Sequence, residues 1–347
     1  MKKTIFLFLC LAFVKCNNSN SESKHQILFE SLESEKTGID FINQLTFKPY
    51  LNIIDYLYYY NGGGVAVGDI NNDGLEDIFF TANQGVDRLY LNMGNLKFED
   101  ITEQANLDLH PSWSNGVSMD DINNDGFIDI YISKLPMKGL FKNQRTHNLL
   151  YINNGDLTFT ESSVDYGIDF SGFSTQSTFF DYDRDGDLDM YLMNHAVHSV
   201  RSYGTIKKRK ETDSLSGDRL YENLLDEGKK SFIEVTEKSG ILNSPLGYGL
   251  ALTTTDINND GWLDIYVGND FHENDYIYIN NQDKTFTESF RKYFKHSSRF
   301  TMGVDVADLN NDGELDIFTT DMMPFDSKIA LKSGGEDADK LTKIKSD

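Results

Sequence analysis

The chain of 347 residues carries 32 basic and 55 acidic side chains, a formal net charge of −23. That balance argues against binding DNA or RNA through phosphate contacts. Aromatics are abundant, with 24 Phe and 18 Tyr against 5 Pro, the reverse of a disordered composition.

At the start, Lys2 and Lys3 precede the apolar run Thr4 to Val14, too short to span a bilayer and typical of a signal-peptide core. Residues 1–15 are read as an export signal and residues 16–45 as a lipid-anchored tether and N-terminal segment. Cys16, followed by the polar run Asn17 to Ser23, looks like the lipidated residue of a bacterial lipoprotein, although Lys15 stands where a small residue normally precedes such a Cys. Cys10 lies inside the apolar run and would leave with it, so the mature domain has no Cys pair and metal must staple its loops. The expected location is the outer membrane or cell surface, with periplasmic or secreted forms as the alternative.

From residue 69 onward a ten-residue pattern recurs five times: Asp, an apolar residue (Tyr182 in the third copy), Asn or Asp, any residue, Asp-Gly, two more residues, Asp, then an apolar strand starter. Oxygen side chains at positions 1, 3, 5 and 9 around a Gly at position 6 suit a hard cation such as Ca²⁺. The Gly takes the positive φ that lets the loop fold back. The proposed ligands are Asp69, Asn71, Asp73 and Asp77; Asp121, Asn123, Asp125 and Asp129; Asp181, Asp183, Asp185 and Asp189; Asp256, Asn258, Asp260 and Asp264; and Asp308, Asn310, Asp312 and Asp316. Position 7 (Leu75, Phe127, Asp187, Trp262, Glu314) is expected to offer only its backbone carbonyl. The copies lack the position-12 Glu of an EF-hand and run into β-rich segments such as Ile78 to Thr81. A bare hairpin turn also favours Asp, Asn and Gly, but needs only one or two of these residues. Five bound Ca²⁺ would bring the charge of −23 to about −13. The third loop, with Asp at position 3, is expected to bind most tightly, Arg184 offsetting part of its repulsion.

Motif starts are 52, 60, 75 and 52 residues apart, the spacing of a solenoid or propeller. An apolar strand precedes each loop, as in Gly64 to Gly68 and Met302 to Ala307. After each of the first four loops comes an aromatic-polar hairpin: Leu89 to Thr102, Leu150 to Glu161, Leu220 to Thr236 in degenerate form, and Tyr278 to Glu288. One unit thus holds four strands, an all-β propeller blade, and five loops predict about five blades. Such blades resemble those of larger rings, so an incompletely closed arc with a free sheet edge is favoured over a closed ring.

The loop together with the Leu-Tyr-x-Asn hairpin resembles the FG-GAP/VCBS repeat. Thr37 to Asn43 and Tyr60 to Asp69 resemble the start of bacterial lipoproteins that pair VCBS repeats with an ASPIC/UnbV module, a group related to cartilage acidic protein. The resemblance implies an integrin-α-like propeller over residues 46–325 with up to five loop-bound Ca²⁺. No ASPIC/UnbV-like module is read in the chain, and residues 326–347 read as a polar tail.

Asn194 to His198 contains two histidines, His195 and His198, but no Cys, Glu or third His at ligand spacing, so contact roles between blades outweigh metal binding. The basic run Arg201 to Lys210 reads as a solvated excursion between blades three and four, with docking of an anionic partner as the sharper alternative. No Gly-x-Ser-x-Gly elbow, mature Cys nucleophile or phosphate-cradling Gly loop is present. The expected function is a non-catalytic, Ca²⁺-binding module of the cell envelope for an extracellular or periplasmic glycan or protein, touching membrane only through its lipid. The alternative is a carbohydrate-active enzyme, a lyase or hydrolase, on the same scaffold.

Overall fold

A computed structural model describes residues 29–137, 146–196, 208–209, 211–271, 273–298 and 300–322. The chain divides into two units, Met1–Glu33 and Ser34–Asp347. In the first, only residues 29–33 are described, without regular structure. The export signal, Cys16, His198, most of the basic run and the polar tail lie outside the described residues.

The second unit is a β-propeller-like series of antiparallel meanders. Blade 1 holds β1 (Val65–Gly68), β2 (Asp77–Phe80), β3 (Arg88–Asn92) and β4 (Phe98–Asp100). Blade 2 holds β5 (Ser114–Asp120), β6 (Asp129–Lys134), β7 (Leu149–Asn153) and β8 (Phe159–Glu161). Blade 3 holds β9 (Ser174–Phe180), β10 (Asp189–Asn194), β11 (Arg219–Asn223) and β12 (Phe232–Glu234). Blade 4 holds β13 (Gly249–Thr255), β14 (Asp264–Asn269), β15 (Tyr276–Asn280) and β16 (Phe286–Glu288). In each, the strands pair in sequence order. Blade 5 shows only β17 (Thr301–Ala307) and β18 (Asp316–Asp321) among the described residues, so β18 has no outer hairpin there.

The alternation that marks strands in the sequence also builds the blade contacts. Phe79 and Leu89 of blade 1 pack with Ile130, Ile132 and Tyr151 of blade 2. Tyr191 and Leu220 of blade 3 pack with Ile265 and Tyr278 of blade 4. Inner strands β1, β5, β9, β13 and β17 adjoin in turn. Glycine permits close approach between blades: a Cβ on Gly116 would stand 2.5 Å from the Thr175 carbonyl of the next blade.

The opposite face of blade 1 is covered by residues 38–46, which the sequence assigns largely to the tether. Phe41 stacks on Phe80 at 5.0 Å, the Tyr90 hydroxyl donates to Asp40 Oδ1 at 2.9 Å, and Asn43 Nδ2 donates to Asn83 Oδ1 at 2.8 Å. Residues 50–62 then run across the inner ends of the blades. Tyr59 packs on Trp113 of blade 2, Tyr56 meets His195 of blade 3 at 3.1 Å, and Tyr58 donates to Asp270 of blade 4 at 3.4 Å. No hydrogen bond links blades 1 and 5 among the described residues, and Val65, Val67 and Phe318 are each more than half exposed.

Candidate metal loops and axial cavity

All five oxygen-rich loops join an inner strand to its neighbour in the same blade, and all share one backbone. Position 6 is left-handed in every copy, with Gly74, Gly126, Gly186, Gly261 and Gly313 at φ of 84 to 98°. Position 4 is left-handed as well, in Asn72, Asn124, Arg184, Asn259 and Asn311 at 59 to 63°. Asn tolerates that region better than most residues, which explains a preference that the pattern above leaves as any residue.

The oxygens turn inward. In loops 1, 2, 4 and 5 the position-1 carboxylate accepts from the amides of positions 5 and 6, as Asp121 does from Asp125 at 2.9 Å and Gly126 at 2.8 Å. Asp69, Asp256 and Asp308 repeat this. At position 3, Asn71, Asn123 and Asn258 accept from the position-5 amide; Asn310 is exposed. At position 5, Asp73, Asp125, Asp185, Asp260 and Asp312 accept from the position-7 amide at 2.9 to 3.2 Å. At position 9, Asp77, Asp129, Asp189, Asp264 and Asp316 open the second strand and accept from the position-2 amide.

In blades 1 to 4 the position-9 carboxylate also accepts from the first hairpin Asn: Asn92, Asn153, Asn223 and Asn280, at 2.7 to 2.8 Å. Burial of these carboxylates opposes their charge. It pushes Asp129 up to about 7, Asp189 to about 9 and Asp264 to about 6, and raises Asp77, while backbone amides pull the other way. Carboxylate and amide oxygens with no sulfur or imidazole form a donor set for a hard cation. Amide bonding alone would also suit a bare turn in loops 1, 2, 4 and 5, whose oxygens it largely occupies.

Loop 3 exceeds what a turn uses. Asp181, Asp183 and Asp189 bring oxygens within 4.8 Å of one another, and Asp181 Oδ1 is buried with no hydrogen-bond partner among the described residues. Lys284, from the blade 4 hairpin, stands 2.6 Å from Asp183 and 2.7 Å from Glu222. Desolvation works against its charge, but the bonds to these two carboxylates outweigh it and hold the ammonium above its usual range. Arg184 instead lies over the Trp262 ring and donates to the Gly261 carbonyl. The offset expected of Arg184 thus comes mainly from Lys284, which the local sequence around loop 3 does not contain.

Two repeat positions missed as functional tie neighbouring loops together. Position 4 reaches the next loop: Asn72 donates to the Gly126 carbonyl at 2.8 Å and Asn259 to Glu314 at 2.5 Å. The hairpin Asn reaches back to position 2 of the preceding blade, Asn153 to Ile70 and Asn280 to Tyr182, both at 2.8 Å. The signal was present in the sequence, since the same Asn recurs in all four hairpins.

At the other end of the inner strands lies a cavity of about 700 Å³, floored by Gly64, Asn115, Gly116, Thr175, Gln176 and Leu250 and walled by Tyr56, Tyr58, Tyr60, Asp270 and Phe271. Burial pushes Asp270 up to about 6. His195 sits behind this wall, 2% exposed, with burial lowering its basicity to about 4; it is a contact between blade 3 and the N-terminal crossing. Arg209 of the basic run pairs with Glu273 of blade 4.

This repeat and its sheets define a β-propeller-like protein carrying FG-GAP-like repeats: residues 69–132 and 256–319 match that repeat. The chain is 28% identical over 217 residues to cartilage acidic protein 1 of Mus musculus, a match covering 60% of this chain and 29% of that protein. The Homo sapiens protein of that name is 27% identical over 214 residues, covering 60% and 28%. The chain therefore matches under a third of the length of these relatives. A solved chain, reported for recognition of non-reducing terminal N-acetylglucosamine by an Agrocybe aegerita lectin, overlaps 74% of this chain and 59% of its own at a TM-score of 0.37 and 18% identity. Overlap of that quality carries no argument about site or ligand.

Proposed function

We propose that the chain is a non-catalytic, Ca²⁺-stabilised recognition module of the bacterial cell envelope, exported, held by lipid on Cys16, and binding a glycan or protein in the axial cavity. It would be of the lipoprotein type that pairs such repeats with an ASPIC/UnbV module. The observation that carries the reading is the cavity lining. Aromatic faces (Tyr56, Tyr58, Tyr60, Phe271) stand with side-chain amides (Asn61, Asn115, Gln176) and one carboxylate, Asp270. Aromatic walls with a few placed polar groups are what a small ligand or a sugar ring uses. Cation loops and cavity lie at opposite ends of the inner strands, so Ca²⁺ would act on stability and blade spacing rather than touch the ligand.

A glycan array probed in Ca²⁺, alongside the variants Tyr60→Ala and Gln176→Ala, tests this reading. Binding lost in both variants with unchanged melting, and no turnover of the bound glycan, is expected. Cleavage of a captured polysaccharide would instead establish the enzyme alternative.

A further inference from the structure

We propose that blade 3 holds a second hard divalent cation, Ca²⁺ in the first instance, between Asp185, Asp187 and Asp226. One oxygen from each of the three lies within 4.8 Å of the others. Position 7 in blades 1 and 2 seats an apolar side chain beneath the outer hairpin. Leu75 lies under Gly94, and Phe127 so close under Gly155 that a Cβ there would meet its ring at 3.0 Å. Blade 3 places Asp187 in that seat, 5% exposed. One of its oxygens accepts from the Asp226 amide at 2.9 Å. The other, Oδ1, is buried and accepts nothing from any described residue. A buried carboxylate in a seat built for Leu or Phe is costly without a compensating charge.

Asp226 arrives there because its hairpin is extended: nine positions separate Asn223 from Phe232, where six separate Asn153 from Phe159. Three basic side chains of this region are engaged elsewhere. Lys284 holds Asp183 and Glu222, Lys229 of the same hairpin holds Glu227 at 2.6 Å, and Arg184 is turned onto blade 4. Three carboxylates and no bound ammonium form an all-oxygen seat for a divalent cation. Asp185 belongs to loop 3 as well, so the proposal rests on the reading of that loop as a cation loop and makes Asp185 a shared ligand; Asp187 and Asp226 are its own.

The test counts Ca²⁺ bound to the full chain by equilibrium dialysis, for the wild type, Asp226→Asn, Asp187→Leu and the loop 1 control Asp69→Ala. Asp226 is exposed, so its conservative change leaves folding intact. The expected result is the loss of one Ca²⁺ per chain in Asp226→Asn and in Asp187→Leu, with the remaining ions kept. Asp187→Leu should also melt higher than wild type in EDTA, where it refills the apolar seat, and lose that advantage in Ca²⁺. If both variants keep the wild-type count while Asp69→Ala loses an ion, the second site is overturned and the loop reading stands. If the wild type binds no Ca²⁺, both fall together.

Discussion

Loops 3 and 4 share spacing, strand register and backbone, yet they balance their charge differently. In loop 4 the position-3 residue is Asn258, whose amide donates to Asp260 Oδ2 at 2.9 Å within the loop. Asp183 cannot donate, and loop 3 turns to Lys284, a residue of the neighbouring blade. At position 9 burial is the main cause in both loops, lifting Asp264 to about 6 and Asp189 to about 9, and the neighbouring carboxylates add repulsion in each, Asp260 and Asp256 in loop 4 and Asp183 and Asp185 in loop 3. One backbone template thus carries two electrostatic settings, one closed within the loop and one dependent on the next blade. Counting carboxylates, which ranks loop 3 as the tightest site, leaves out a cation already in place.

The largest effect tests what both loops have in common. Each empty loop holds facing carboxylates, and a ligand at 100 times its Kd stabilises by about 2.7 kcal/mol per site. EDTA should therefore lower Tm by about 10 °C or more relative to millimolar Ca²⁺, with Mg²⁺ restoring little of it. An unchanged melting curve would remove the metal account of every loop.

A second prediction separates the loops. Lys284→Gln removes the ammonium from Asp183 and Glu222 and should lower Tm in EDTA while strengthening Ca²⁺ binding at loop 3, because the cation no longer competes with the amine. The gain should be absent at loop 4, read by calorimetric titration of Lys284→Gln in an Asp181→Ala background. Weaker Ca²⁺ binding in the single variant would show that Lys284 positions Asp183 as a ligand instead.

The pH dependence distinguishes the two settings more gently. Asp129, Asp189 and Asp264 bind protons more tightly in the folded, cation-free loops than their ordinary value of 3.8, at about 7, 9 and 6. That stability is complete below the unfolded carboxylate value and is lost as pH rises through these folded values. In EDTA, Tm should fall steadily between about pH 5 and about pH 9, the loop 3 share coming last. Ca²⁺ should remove most of this slope, leaving the part due to buried carboxylates outside the loops, Asp218 and Asp120 raised to about 7 and Asp270 to about 6. A slope that is the same with and without Ca²⁺ would detach it from the loops.

The smallest effect concerns the belt between blades. Asn153→Ala removes side-chain bonds to the Ile70 and Ile128 carbonyls at 2.8 and 3.0 Å and should cost about 2 kcal/mol. Measured in denaturant, a cost no greater than that of Asn154→Ala would deny the hairpin Asn its role between blades.

Loops, inner strands and outer hairpins were legible because each carries its own local pattern: alternate oxygens with a Gly, strand alternation, and an Asn-rich turn. What escaped involves residues distant in sequence. Nothing near Asp183 announces Lys284, about a hundred positions later. Residues 38–62 hold no repeat, so their service as cover for blade 1 and as wall of the cavity emerges only from packing, as with Phe41 on Phe80. The full blade expected around Asp308 to Asp316 shows two strands among the described residues. Among the described residues Asp316 accordingly receives no hairpin amide of the kind that Asp129 does. The burial of Asp187 is not legible at position 7, because it depends on the length of a hairpin far along the chain.

The most direct test of the central claim is a crystal structure grown in Ca²⁺, with anomalous scattering used to locate the ions. The account predicts a peak inside each of the five loops, ringed by positions 1, 3, 5 and 9 and by the carbonyl of position 7. Loops held by their own amides, with water or nothing where those oxygens converge, would contradict it.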